Sequence, residues 1–158
     1  MYCFVMKKAN KTHLGGRPKG SGVPSRSLSE KEIKRLRAVI ASLPNSDRNS
    51  ALVELALGTG CRINELCSLR IGDVMIKGTT KKEFVLGTTK NGSSHRVHMS
   101  DRAHKALSEY LLSKRAGCKN SEPLFPSQKR GFLSSSSGSR LVVSLLEAAG
   151  IEKAGGAH

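Results

Sequence analysis

The stretch that decides the fold is residues 58–74, which read Gly58-Thr59-Gly60-Cys61-Arg62-Ile63-Asn64-Glu65-Leu66-Cys67-Ser68-Leu69-Arg70-Ile71-Gly72-Asp73-Val74. Its first glycines interrupt helical structure, and a short helix is predicted from about Arg62 to Leu69. Arg62 therefore lies at a helix N-terminus, where peptide N–H groups and a forked guanidinium both favour an oxyanion. Glu65 lies one turn further on the same helix face. Either it orients the guanidinium of Arg62 or it supports local packing as a salt-bridge partner.

Cap residues and apolar spacing predict further helices on both sides of this stretch. With their caps and stops they run from Ser29 to Pro44, Ser50 to Leu57, Ser100 to Gly117 and Ser134 to Gly150. Ser29 begins a capping box with Glu32. Tyr110 has the spacing of a core residue, and Pro123-Leu124-Phe125-Pro126 is predicted to be an anchored apolar loop.

Strand patterns occupy the middle of the chain. The predicted strands are Val74-Met75-Ile76, Glu83–Leu86 and Arg96-Val97-His98-Met99. Gly72-Asp73, Gly78-Thr79-Thr80 and Lys90-Asn91-Gly92 are predicted to be turns, and Asn-Gly is the strongest of these hairpin signals. The prediction is an α+β fold that is mainly helical, with a three-stranded antiparallel sheet.

The chain is strongly basic. Its 158 residues carry 27 Lys and Arg against 12 Asp and Glu, which gives a net charge of +15 and a pI near 10.2. Such a field attracts polyanions, nucleic acid first and an anionic membrane surface second. No stretch reaches the roughly 18 apolar residues of a membrane span. The first residues place their charges after the apolar side chains, unlike a signal peptide.

The content of cysteine and aromatic residues excludes two further classes of site. Cys3, Cys61, Cys67 and Cys118 form no Cys-x-x-Cys pair and have no close His, so we interpret them as free thiols in a reducing cytoplasm and expect no metal. Aromatic residues make up 4% of the chain, which argues against a base-stacking surface for single strands.

Residues 1–27 form a basic arm rich in glycine, and residues 28–158 are predicted to form the domain. The arm has six basic side chains and no acidic one. Within it, Gly15-Gly16-Arg17-Pro18-Lys19-Gly20 resembles an AT-hook, which would place Arg17 and Lys19 in a narrow minor groove. The alternative is a basic linker that contacts phosphates without sequence preference.

Residues 58–74 closely resemble the first catalytic box of the tyrosine recombinases, the phage integrase family. That box reads Thr-Gly-x-Arg-x-x-Glu-Leu, then Leu-x, then an acidic residue. Later pieces follow in the family's order, at Thr89-Lys90-Asn91-Gly92, Pro123–Pro126 and Ala148-Ala149-Gly150-Ile151, with His158 where the second box begins. The resemblance covers roughly residues 28–158 and implies a catalytic domain of that family, incomplete at its C-terminus.

The resemblance implies roles for individual residues. Arg62 would clamp the scissile phosphate, with Glu65 in support. Lys90 would protonate the leaving 5′ oxygen, a task for a positioned general acid. His158 would be the second-box histidine, which supports the phosphate oxygens or the nucleophile. From their place on a polar sheet face, Arg96 and His98 are expected to contact DNA phosphates. No metal or nucleotide cofactor is expected.

In the family a second arginine, a third-box His or Trp, and the tyrosine nucleophile follow the second-box histidine. The tyrosines of this sequence are Tyr2 and Tyr110, and neither matches the nucleophile's place. Covalent catalysis requires its nucleophile. We therefore expect that this chain alone does not cleave DNA and that it is a truncated product or fragment of a mobile-element integrase. Its expected partners are double-stranded DNA and other recombinase protomers, with no membrane and no small-molecule substrate, and its expected location is the cytoplasm.

Two alternatives remain open at this point. The same residues suit a DNA-binding module that regulates or competes with a full recombinase without catalysis. A basic RNA-associated protein also fits the charge, although the low aromatic content and the first-box match argue against it.

Overall fold

A computed structural model describes residues 27–87, 94–129 and 131–151. Six helices and four short strands lie within these ranges. They are α1 Glu30–Ser42, α2 Ser46–Thr59, α3 Ile63–Cys67, α4 Ile71–Val74, β1 Met75–Ile76, β2 Thr79–Thr80, β3 Glu83–Leu86, β4 His95–His98, α5 Asp101–Lys114 and α6 Ser135–Ala148. The helices dominate and the strands pair antiparallel, so the predicted class, α+β and mainly helical, is confirmed.

Serine side chains begin three of the long helices, as the sequence predicts. Ser29, Ser100 and Ser134 each accept a hydrogen bond from the backbone N–H three residues later, at the start of α1, α5 and α6. At Ser29 the complete capping box is present, because Glu32 in turn accepts the Ser29 N–H at 2.9 Å. Each cap supplies an acceptor to a donor that the first helical turn leaves without a partner.

Helix α2 begins earlier than predicted, at Ser46 instead of Ser50. Asn45 has left-handed backbone angles (φ 58°, ψ 32°), which asparagine tolerates better than most residues and which allow the chain to reverse directly into a helix. The first turn of α2 is polar, so it lacks the apolar spacing that marks the rest of this helix. At the other end, Gly60 has φ 69° and terminates α2 where the glycines predict.

The strands form two pairs instead of the single three-stranded sheet of the prediction. β1 pairs with β2, and β3 pairs with β4. Lys77 (φ 47°) and Gly78 (φ 78°) both have positive φ, as a tight two-residue hairpin requires, so Thr79–Thr80 returns along β1 as a strand and not as a turn. Gly72-Asp73, also predicted to be a turn, lies in α4, which Asp73 caps by accepting the Arg70 N–H at 2.7 Å.

The core lies where α2 packs against α5. Its buried side chains also come from α3, α4, β3, β4 and the loop that follows α5. That loop is anchored as predicted, with Leu124 and Phe125 fully buried. Tyr110 is a core residue as predicted, 2% exposed, with its ring stacked on Phe125 and its hydroxyl donating to Leu124 O at 3.0 Å.

A second apolar cluster joins α1 and α6 to one face of α2. A bidentate ion pair fixes α1 against α2, since Arg37 Nε lies 2.5 Å from Glu54 Oε1 and Nη2 lies 3.0 Å from Oε2. Glu54 is 5% exposed, and the guanidinium supplies the partner that a buried carboxylate needs. Among the helices of the described ranges, none has both the length and the apolar character needed to cross a membrane.

Candidate nucleic-acid interface

Arg62 is the N-cap residue of α3, at the helix N-terminus that the sequence predicts. Its backbone N–H donates to Glu65 Oε2 at 2.7 Å, and its Nη1 donates to Glu65 Oε1 at 3.4 Å. One carboxylate therefore contacts both the backbone and the guanidinium of Arg62. The Arg62 side chain is 61% exposed, so an oxyanion from solution can reach its other donors.

The break that precedes Arg62 is held by side-chain hydrogen bonds. The Thr59 hydroxyl donates to Leu55 O at 2.6 Å and accepts the Cys61 N–H at 3.2 Å. Gly60, between them, has the left-handed backbone that turns the chain out of α2. These contacts fix the path by which the chain leaves α2 and presents Arg62.

Close helix packing positions the same segment from two sides. A Cβ at Gly138 of α6 would lie 2.7 Å from Cys67 Sγ and 3.2 Å from Ile63 Cγ1. A Cβ at Gly58 would lie 2.5 Å from the Oγ of Ser100, the cap of α5. Separations this short exclude any residue larger than glycine without a shift of the neighbour. The position of α3, and with it Arg62, therefore depends on Gly138 of α6, while Gly58 allows α2 to approach the cap of α5.

A second cluster of polar side chains lies on the outward face of the β3–β4 hairpin. Arg96 Nη1 lies 2.5 Å from Glu83 Oε1, and His98 Nδ1 lies 3.1 Å from Glu83 Oε2. The side chains of Arg96 and His98 are 66% and 75% exposed. Phe84 and Val97, on the opposite face, are buried in the core. Because side chains alternate between the two faces of a strand, these polar groups face solvent while Phe84 and Val97 anchor the hairpin to the core.

The structure brings together two of the predicted sets of site residues. Arg62 contacts Glu65, and Arg96 and His98 meet through Glu83. The remaining predicted residues, Arg17, Lys19, Lys90 and His158, lie outside the described residues, as does most of the arm.

Sequence reasoning missed Glu83. The signal that could have found it is the register of the hairpin, because Glu83 is paired directly opposite His98 and Arg96 is one step along the same face.

The thiols of Cys61 and Cys67, which lie just before α3 and at its last residue, are suited to packing more than to chemistry. Cys61, Cys67 and Cys118 are free, and burial raises the pKa of Cys67 to about 11. Burial also raises the pKa of Cys61. A raised pKa keeps the thiols of Cys61 and Cys67 protonated and weakly nucleophilic at neutral pH. Within residues 27–87, 94–129 and 131–151, no three His, Cys, Asp or Glu side chains lie close enough together to hold a metal ion.

The sequence of this chain is similar to those of known proteins. Residues 26–158 match the phage integrase family. The tyrosine recombinase XerD of Corynebacterium glutamicum is 34% identical over 131 residues, which cover 77% of this chain and 41% of that protein. The tyrosine recombinase XerC of Bacillus pumilus is 39% identical over 85 residues, which cover 53% of this chain and 27% of that protein. The chain thus spans less than half the length of these curated relatives.

Solved structures show the same fold. The crystal structure of XerA recombinase has a TM-score of 0.69 and 31% sequence identity, covering 89% of this chain and 47% of that one. A lambda integrase dimer bound to a COC′ core site has a TM-score of 0.59 and 21% identity, covering 86% of this chain and 37% of that one. Together with the family match over residues 26–158, these likenesses assign the chain: it belongs to the phage integrase family of tyrosine recombinases.

Proposed function

We propose that this chain supplies the part of a site-specific tyrosine recombinase that binds the DNA backbone at the scissile phosphate, with Arg62 as the central contact. The observation that carries the proposal is the geometry of Arg62. Its exposed guanidinium stands at the start of α3, where Glu65 accepts one hydrogen bond from Nη1 and a second from the backbone N–H of Arg62. A planar guanidinium matches the non-bridging oxygens of a phosphate, over which charge spreads in the transition state of phosphoryl transfer.

Glu65 acts in this proposal as a positioning residue. It fixes the side chain of Arg62 before DNA arrives, so less conformational entropy is lost on binding. The other catalytic roles rest on the family resemblance. Lys90, which lies in sequence between β3 and β4, would protonate the leaving 5′ oxygen, and His158 would support the phosphate oxygens.

The proposed partner is double-stranded DNA, with other recombinase protomers assembled on it. Similar solved structures are of assemblies of this kind, among them the XerH site-specific recombinase bound to its difH substrate and a lambda integrase tetramer bound to a Holliday junction. The net charge of +15 supplies the general attraction to the duplex. Arg96 and His98 would add contacts from the hairpin, and Arg17 and Lys19 would add contacts from the arm.

The proposal assigns no nucleophile to these 158 residues. The Tyr110 hydroxyl is buried and engaged with a core carbonyl, so it is not available to attack a phosphate. The chain alone would therefore bind DNA without cleaving it. A reducing cytoplasm, where its free thiols are stable, is the compartment we propose.

One pair of assays tests the proposal. The first compares the affinity of the full chain for duplex DNA with its affinity for RNA at matched salt, and the expected preference is for duplex DNA. Preference for RNA would overturn the proposal. The second incubates the chain with nicked suicide duplexes, for which no covalent adduct is expected. An adduct would refute the non-catalytic assignment while leaving the role of Arg62 intact.

A further inference from the structure

The Glu83 carboxylate has one partner on each oxygen, and both partners come from β4. Arg96 Nη1 contacts Oε1 at 2.5 Å, and His98 Nδ1 contacts Oε2 at 3.1 Å. Both contacts of this carboxylate within the described residues are to side chains. The three groups share the outward face of the hairpin, where the Glu83 side chain is 38% exposed. Arg96 and His98 thus form a pair that already holds an oxyanion, and that oxyanion belongs to the protein itself.

We propose that Glu83 occupies the place of a DNA phosphate in the unbound protein, and that a backbone phosphate displaces it from Arg96 and His98 when the duplex binds. This inference rests on the proposed function, since it takes the hairpin face to be in contact with DNA. It adds a residue that limits affinity: Glu83 competes inside the chain for the same two donors that the phosphate needs.

The chemistry of the two anions supports the exchange. A carboxylate and a phosphodiester each present two oxygens to a guanidinium and an imidazole, and arginine pairs with either in the same forked geometry. The ion pair with Glu83 is solvent-exposed, and such pairs contribute little to stability, so displacing the carboxylate costs little. Phosphate binding also releases counterions from the duplex, which a carboxylate of the protein does not.

Glu65 differs from Glu83 in a way that separates their roles. Glu65 accepts the backbone N–H of Arg62 as part of a helix cap, so it is fixed beside its arginine. Glu83 is held by side chains alone, so a change of its side-chain rotamer frees Arg96 while β3 stays paired with β4. Glu65 therefore positions Arg62 for DNA, whereas Glu83 occupies the donors of Arg96 until DNA binds.

The test measures affinity of the full chain for a labelled mixed-sequence duplex across a range of salt concentrations, for Glu83→Gln, Arg96→Gln and the double variant. Glu109→Gln is the matched control, because it removes one acidic charge from an exposed ion pair on α5, where Glu109 lies 4.0 Å from Lys105. We expect Glu83→Gln to bind about two- to fivefold more tightly, the range that exposed ion pairs span. Its plot of log affinity against log salt should steepen by up to about 0.9.

The double variant decides between competition and simple charge removal. If Glu83 occupies Arg96, most of the gain from Glu83→Gln disappears in the Arg96→Gln background, and Glu109→Gln gives a smaller gain than Glu83→Gln. An equal gain with and without Arg96, or weaker binding by Glu83→Gln, would overturn the inference. If Arg96→Gln itself leaves affinity and salt slope unchanged, the hairpin face does not contact DNA, and both that part of the proposed function and this inference fail.

Discussion

The carboxylate of Glu65 accepts two hydrogen bonds from Arg62, one from its backbone N–H at 2.7 Å and one from Nη1 at 3.4 Å. The first bond caps α3, and the second directs the guanidinium. Local helix formation and the placement of the proposed phosphate ligand therefore depend on the same side chain. A change at Glu65 is expected to affect both.

Glu65→Ala should cost about 1 kcal/mol of stability, because the N-cap bond is lost, and should also weaken binding of duplex DNA, because Arg62 is released. Asp73→Ala is the matched control. Asp73 caps α4 by the same contact with the N–H of an N-cap arginine, Arg70, at 2.7 Å. Thermal denaturation should give similar losses for both variants, and fluorescence anisotropy should show weaker DNA binding for Glu65→Ala alone. Equal DNA affinities for the two variants would show that Glu65 has no part in the DNA interface.

Gly138→Ala should destabilise the protein by about 1–3 kcal/mol, the usual cost of overpacking a core. The new methyl group would lie 2.7 Å from Cys67 Sγ. Removing that sulfur in Cys67→Ala/Gly138→Ala should recover part of the loss. At Gly131 an added Cβ would lie 3.9 Å from its nearest neighbour, so Gly131→Ala should be neutral in urea denaturation. No coupling between positions 67 and 138 would contradict the packing of α6 on α3.

Tyr110→Phe should destabilise the protein by about 0.5–1.5 kcal/mol, because a buried hydrogen bond to Leu124 O is lost. DNA affinity should not change, since Tyr110 is a core residue. Urea denaturation and DNA binding measured on the same preparation check both parts. A Tyr110→Phe variant that keeps its stability but loses DNA binding or a covalent adduct would give this tyrosine a role in the chemistry.

Stability should fall as the pH rises from about 9 to about 11, and Cys67 should account for part of the fall. Burial raises the pKa of its thiol to about 11 from 9.0. Between these values the unfolded chain releases a proton that the folded chain keeps, so the contribution of Cys67 declines by at most about 1.4 kcal/mol per pH unit. Cys67→Ala should therefore show a shallower decline than the unmodified chain in denaturant titrations over this range. Parallel curves would show that the thiol ionises alike in both states.

Local chemistry was sufficient to predict much of this fold. Ser29, Ser100 and Ser134 begin their helices because a serine oxygen satisfies a nearby backbone N–H, which is a short-range event that the sequence displays. The start of α2 does not follow from apolar spacing, because the first turn of this helix is polar and the left-handed backbone of Asn45 has no apolar pattern to mark it. The sequence predicts a turn where the second strand of the first hairpin lies, because the positive φ of Lys77, which starts the return strand early, is rare outside glycine and asparagine.

The candidate site was predictable in part for the same reason. Arg62 and Glu65 are three residues apart on one helical turn, so their contact follows from spacing. The ion pair of Arg37 with Glu54 and the bridge from Glu83 to Arg96 and His98 join distant parts of the chain. Such contacts depend on helix packing and strand register, which the sequence alone did not determine.

The most direct test of the central claim is the salt dependence of duplex DNA binding for Arg62→Gln, measured beside Arg35→Gln, which removes an exposed arginine from α1. A charge-assisted contact to phosphate predicts that Arg62→Gln loses affinity by about tenfold and that its salt slope falls by about 0.9. Arg35→Gln should lose much less on both counts. If the two variants behave alike, Arg62 contributes only to the general charge of the protein and is not its phosphate ligand.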